Sequence, residues 1–193
     1  MIVGQCVCGL TDMKSFLGIT SNSDDTLISS LIDSVVESIE NFCRRDFSVQ
    51  VHNEKLDIND NQDIILLGSY PIISIAGLTD YSRTLVEGTD YYANYKSGVI
   101  KLIKDLDNSD AYFESGRQKT QISYISGYLL VPKALNLATK KICSRMYNNR
   151  DGLVSERIGS YGYNINLSPE GFTSDEIMLL KPFQKIGGFS SSV

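Results

Sequence analysis

Tryptophan is absent from this chain and histidine occurs once, as His52. Proton-transfer catalysis needs a nucleophile, a proton carrier and a group that orients them, so a single histidine inside an alternating, strand-like run is thin material. Its expected place is the solvated face of that strand. Phosphate-binding glycine loops are also missing, because Gly159 and Gly162 lack both the required spacing and the strand-to-helix context. Four cysteines are present, Cys6, Cys8, Cys43 and Cys143, but only the first two are close, and no second Cys or His pair completes a tetrahedral metal site. Cys43 and Cys143 are expected as small buried hydrophobes with reduced thiols. The acidic pairs Asp24 with Asp25 and Asp105 with Asp107 read as helix-start and loop carboxylates rather than a magnesium site. No apolar run approaches the length needed to cross a bilayer. Met1 to Leu10 lacks the basic start and small-residue cleavage site of a secretory signal, so a soluble protein made in a cytoplasm is expected. An excess of positive charge is missing too: the formal net charge is -5, which argues against affinity gained by neutralising phosphates. Neither an enzyme, a metal nor a cofactor is expected.

What is present is a clear change of pattern along the chain. Thr11 can cap a short helix through Leu17, which Gly18 stops. A long helix follows, with Ser23 as N-cap and Arg44 and Arg45 in its last turn. Leu27, Ile28, Leu31, Ile32, Val35, Ile39, Phe42 and Cys43 recur there at three- and four-residue steps and draw an apolar stripe down one face. Such a helix is about 30 Å long, the breadth of a small domain. From Val49 onwards β-branched and aromatic residues cluster in short runs between turn residues. The candidate strands of one antiparallel sheet are Val49 to Ile58, Asp63 to Leu67, Ile72 to Leu78, Asp90 to Tyr95, Val99 to Ile103 and Thr120 to Ile125. Lys96, Ser97 and Gly98 make a tight hairpin, with Gly98 placed for positive φ. Lys104 to Lys119 reads as a long polar surface loop. Pro132 suits the first position of a second long helix, which reaches about Asn148 and should pack on the first. Asn149 to Pro169 reads as irregular; Ser174 can cap a last helix to Lys181, and Pro182 ends it.

The fold class is therefore α+β: a helical bundle of two long and two short helices with an inserted antiparallel β region and an extended C-terminal arm. With 193 residues the chain can bury one good core. A single domain is expected, with residues 1–48 helical, 49–130 β-rich, 131–183 helical and extended, and 184–193 a tail. Lys133, Lys140, Lys141, Arg145 and Arg150 form a basic stretch without an acidic residue. It is either an ordinary solvated face or a contact with an acidic surface on a neighbouring subunit. Tyrosines such as Tyr91, Tyr92, Tyr124 and Tyr161 suit cross-strand packing and half-wet interfaces alike.

In order, the segments Leu10-Thr-Asp-Met-Lys-Ser-Phe-Leu-Gly-Ile-Thr, Asp24-Asp-Thr-Leu-Ile-Ser-Ser-Leu-Ile and Ile39-Glu-Asn-Phe-Cys-Arg-Arg-Asp-Phe47 open the chain. Tyr70-Pro-Ile-Ile-Ser-Ile, Val86-Glu-Gly-Thr-Asp-Tyr91, Gly98-Val-Ile and Tyr124-Ile-Ser-Gly-Tyr128 follow. Tyr147-Asn-Asn-Arg-Asp-Gly152, Ser155-Glu-Arg-Ile-Gly-Ser-Tyr161 and Leu180-Lys-Pro-Phe183 close the set. The set resembles the head-tail connector, or head completion adaptor, proteins of long-tailed bacteriophages. The resemblance implies a structural virion protein made in the host cytoplasm. Its copies would form a ring, commonly twelve-fold, between the capsid portal and the next tail-side stopper or tail-completion protein. DNA would pass through the lumen without specific binding, and the C-terminal segment would reach towards the portal. No membrane partner is expected. A ring built head to tail needs two different patches per subunit. The expected patches are the outer face of the first long helix, meeting the second long helix and the Ser155 to Tyr161 segment of a neighbour. Arg44, Arg45, Lys140, Lys141, Arg145, Ser155, Glu156, Tyr161 and Phe183 are the expected subunit or portal contacts. The alternatives are another neck component, a terminator or stopper, and a small phage enzyme, which a cleft holding His52 beside carboxylates would mark.

Overall fold

The structure, a computed structural model, describes residues 7–103, 111–149, 155–158, 161–164 and 167–185. Two short helices, α1 (Leu10–Leu17) and α4 (Ser174–Leu180), accompany two long ones, α2 (Asp25–Cys43) and α3 (Lys133–Asn148). Between α2 and α3 run β1 (Gln50–Ile58), β2 (Ile64–Leu66), β3 (Ile72–Asp80), β4 (Arg83–Leu85), β5 (Tyr91–Asn94), β6 (Val99–Leu102) and β7 (Gly116–Ser126). The hairpin β8 (Ser155–Ile158) and β9 (Tyr161–Asn164) precedes α4, and a 3-10 turn, Lys181–Phe183, follows it. This is the expected α+β content. The described residues cluster into two compact units, one from residues 48–129 and the other from residues 7–47 with 130–185. The divisions fall where the residue pattern changes from helical to β-rich and back.

In the β unit, the alternation that marks β1 sends Leu56 and Ile58 inward and Val51, Asn53 and Lys55 to solvent. The expected single sheet is two antiparallel sheets, ordered β1-β7-β3-β4 and β2-β6-β5. They share one core, in which Ile58, Leu78, Ile122 and Tyr124 of the first sheet cluster with Ile65, Ala93, Ile100 and Leu102 of the second. Strand β7 is central in its sheet, pairing with β1 from Gln50 opposite Ser126 to Ile58 opposite Gly116. It begins at Gly116, so the last four residues of the expected 104–119 loop are strand. Their polar side chains hide this because they form the wet end of the ladder, where Arg117 and Gln118 are exposed. Residues 104–110 of that loop lie outside the described residues. Gly98, at φ 72, makes the hairpin as expected.

Gly127 closes the β unit. It sits at φ +117, and a Cβ there would lie 2.3 Å from the Ser48 carbonyl oxygen. Both the backbone angle and the space require glycine. Gly127→Ala is expected to cost about 3 kcal/mol of unfolding free energy, read from urea denaturation against the parent chain.

In the helical unit, the apolar stripe of α2 buries Ile28, Ile32, Val35, Ile39 and Cys43, and α3 buries Leu135, Ala138, Thr139, Ile142 and Cys143. The two helices pack on one another, as expected; α1 packs on both of them, chiefly on α2, and α4 packs on α3. The ends differ from expectation by a residue or two. Gly9, not Thr11, caps α1, and Asp24, not Ser23, stands at the N-cap of α2. Arg44 is outside the last turn of α2, as a left-handed C-cap at φ 56 whose N–H donates to Asn41 O. Pro132 is the N-cap of α3 rather than its first residue. Thr173, not Ser174, caps α4, through a reciprocal box with Glu176. Part of the expected irregular segment after α3 is the β8–β9 hairpin, in which Ser155 pairs with Asn164 and Ile158 with Tyr161. Two runs of four residues, Ser-Glu-Arg-Ile and Tyr-Gly-Tyr-Asn, are too short a signal to separate from a loop.

Burial pushes the Cys43 thiol from its ordinary 9.0 up to about 11. The folded state holds the neutral form that the unfolded chain would lose near pH 9. This contribution to stability is complete below pH 9 and disappears as pH rises to about 11. Thermal melts between those limits should therefore fall more steeply for the parent chain than for Cys43→Ala.

Candidate assembly surface

Charge is segregated between the two long helices. Helix α2 carries Asp25, Asp33, Glu37 and Glu40 and no basic residue, whereas α3 carries Lys133, Lys140, Lys141 and Arg145 and no acidic one. The cations of α3 have different environments. Arg145 lies along the carboxylate of Glu176, with Nε 3.1 Å from Oε1 and Nη2 3.0 Å from Oε2, and it also donates to Gly171 O. Glu176 is only 3% exposed and simultaneously accepts from Thr173 N, so one carboxylate closes the cap of α4 and joins it to α3. Lys140 meets Asp12 at 2.8 Å, and that hydrogen bond and charge hold the Asp12 carboxyl below its usual range. Lys141 is exposed and only 4.0 Å from Asp175, at the limit of an ion pair. Lys133 is exposed, with no salt bridge among the described residues.

The remaining expected contacts are placed as follows. Arg44 is exposed; Arg45 is half-buried, its guanidinium 5.5 Å from the centre of the Phe47 ring. Phe183 packs edge-on to Phe47, with centroids 6.2 Å apart. Ser155 and Glu156 lie on β8 and Tyr161 on β9. Lys140, Lys141 and Arg145 share one helix, and Ser155, Glu156 and Tyr161 share one hairpin. Asp33 and Glu37, one turn apart on the exposed face of α2, were not singled out by the sequence reading. The signal that could have found them is their spacing of four on the face opposite the apolar stripe.

His52 corrects its expected place. Rather than standing on the solvated face of β1, it is half-buried, stacked on the ring of Tyr124 at 4.9 Å, with Nε2 2.8 Å from Ser126 Oγ. Glu54, the nearest acidic residue along β1, accepts instead from the Tyr124 hydroxyl, which in turn accepts from Ser69 N. Burial and the Glu54 carboxylate raise the Tyr124 hydroxyl well above the ordinary tyrosine range, so it stays a neutral donor. The imidazole thus belongs to a closed polar cluster that pins β1 to β7.

A family model described as head completion protein matches residues 7–170. The chain belongs to the head completion protein family. That makes it a virion structural protein and not an enzyme. No curated protein matches the sequence. Among solved structures, the chain is similar to a protein in the virion of a native gene transfer agent particle, with 12% identity, a TM-score of 0.59, and 94% of this chain and 91% of that one covered. It is also similar to one in the neck of an empty gene transfer agent particle computed with C6 symmetry, at 12% identity and TM-score 0.55. A third is in the neck of the native particle computed with C12 symmetry, at 11% identity and TM-score 0.56. These two likenesses likewise cover 94% of this chain and 91% of the other. At such identities what is shared is the fold, and it extends over nearly the whole head completion chain.

Breaking the buried pair by Glu176→Ala should cost about 3 kcal/mol, because it strands the Arg145 charge and opens the α4 cap. Lys141→Ala should change stability by less than about 0.5 kcal/mol. Chemical denaturation of both variants checks the contrast.

Proposed function

We propose that copies of this chain close into a ring in the neck of a tailed virion, joining the capsid portal to the tail and leaving a passage for DNA. The observation that carries this reading is the family match over residues 7–170 combined with a fold likeness, across 94% of the chain, to proteins in necks computed with C6 and C12 symmetry. Charge agrees with the role: at net -5 the subunit repels phosphates, so DNA passing through the ring is not held by it. The ring is of twelve copies, a downstream stopper or tail-completion protein binds its tail side, and the C-terminal residues reach towards the portal. Arg44, Lys141, Phe183 and the hairpin of Ser155, Glu156 and Tyr161 contribute contacts. Lys140 and Arg145 act within the subunit by fixing the helices that present those contacts, and Arg45 does so beside Phe47.

Light scattering and negative-stain imaging of the purified chain, alone and mixed with portal protein, test this reading. Rings on the portal are expected. A chain that stays solitary in the presence of portal overturns it.

A further inference from the structure

The charge segregation of the two long helices leaves two unlike exposed stripes on one unit. On α2 the exposed residues Ser30, Asp33, Ser34, Glu37 and Ser38 lie opposite the buried Ile28, Ile32, Val35 and Ile39. Asp33 and Glu37 stand at positions four apart, where like charges repel, and neither has a salt bridge among the described residues. Beside them the Ser34 hydroxyl donates to Ser30 O and that of Ser38 to Ser34 O, so the serines are satisfied by their own helix. Beside the two carboxylates these short side chains leave a low surface for an approaching helix. On α3 the exposed residues Lys133, Leu137 and Lys141 follow one another at four-residue steps, opposite the buried Leu135, Ala138 and Ile142. Leu137 is 39% exposed, an apolar side chain between two lysines.

We infer that the Lys133–Leu137–Lys141 stripe of α3 docks on the Asp33–Glu37 face of α2 in a second copy of this chain. The inference rests on the ring reading and specifies its subunit contact. Each side supplies what the other lacks: two lysines meet two carboxylates that repel one another when alone, and Leu137 covers the low serine surface. The stripes differ from each other, so every subunit offers one and accepts the other. That is the heterologous contact a closed ring requires. Opposite charges at such a contact fix register and partner choice.

Charge reversal with rescue tests it, in the portal-templated assembly described above. Asp33→Lys with Glu37→Lys, and separately Lys133→Glu with Lys141→Glu, should each raise the concentration needed for half-assembly at least about tenfold at 0.15 M salt. All four changes in one chain should bring it back to within about threefold of the parent. Circular dichroism and melting of each variant verify that the subunit still folds. Parent-like assembly of either double variant, or no recovery in the fourfold variant, overturns this contact while leaving the ring in place. Failure of the parent chain itself to assemble on portal removes the ring reading instead.

Discussion

The packing of α2 against α3 is the constraint on which the helical unit rests. Ile28, Ile32, Val35 and Ile39 on one helix, and Leu135, Ala138 and Ile142 on the other, leave solvent through that contact and its flanking helices. At about 25 cal/mol per Å² of apolar area removed from water, such side chains supply most of what holds the unit together. Because the apolar stripes face inward, everything each helix can offer another molecule lies on its remaining arc. On α2 that arc is acidic and low, and on α3 it is basic with a leucine at its centre. Packing and assembly are thus coupled through helical geometry, since the same period that buries one face fixes the composition of the other.

Two ion pairs illustrate how differently cations on one helix are used. Arg145 is planar and forked, matches a carboxylate with two parallel hydrogen bonds, and sits beside a glutamate that is almost wholly buried. Lys141 is a flexible point charge at the outer margin of contact with Asp175. From sequence the two look alike, four residues apart in an acid-free run. Only the fold reveals that Asp12 and Glu176, distant along the chain, reach Lys140 and Arg145 and leave Lys133 and Lys141 as the outward charges.

Much of the architecture was legible because it rests on periodic burial. Both long helices, the order of helix, β region and helix, and most strands follow from apolar spacing alone. What escaped depends on partners far away in sequence. Strand β4 is three residues long and is defined by pairing with β3, and the first residues of β7 are polar because they pair at the wet end of a ladder. His52 lies in an alternating run that suggests a solvated residue, yet the cross-strand neighbour it stacks on, Tyr124, comes from a strand far along the chain. The division of the core into two sheets depended likewise on which strands pair, which hydrophobic alternation leaves open.

Ser48 and Gly127 touch through their backbones, so the β unit begins and ends at one point. A segment whose two ends coincide behaves as a cassette: it can be lengthened, shortened or exchanged for another folded piece while the polypeptide on either side keeps its path. Lineages that reshape this cassette would retain the helices, and a fluorescent or affinity module spliced across that junction would mark the particle without rebuilding it.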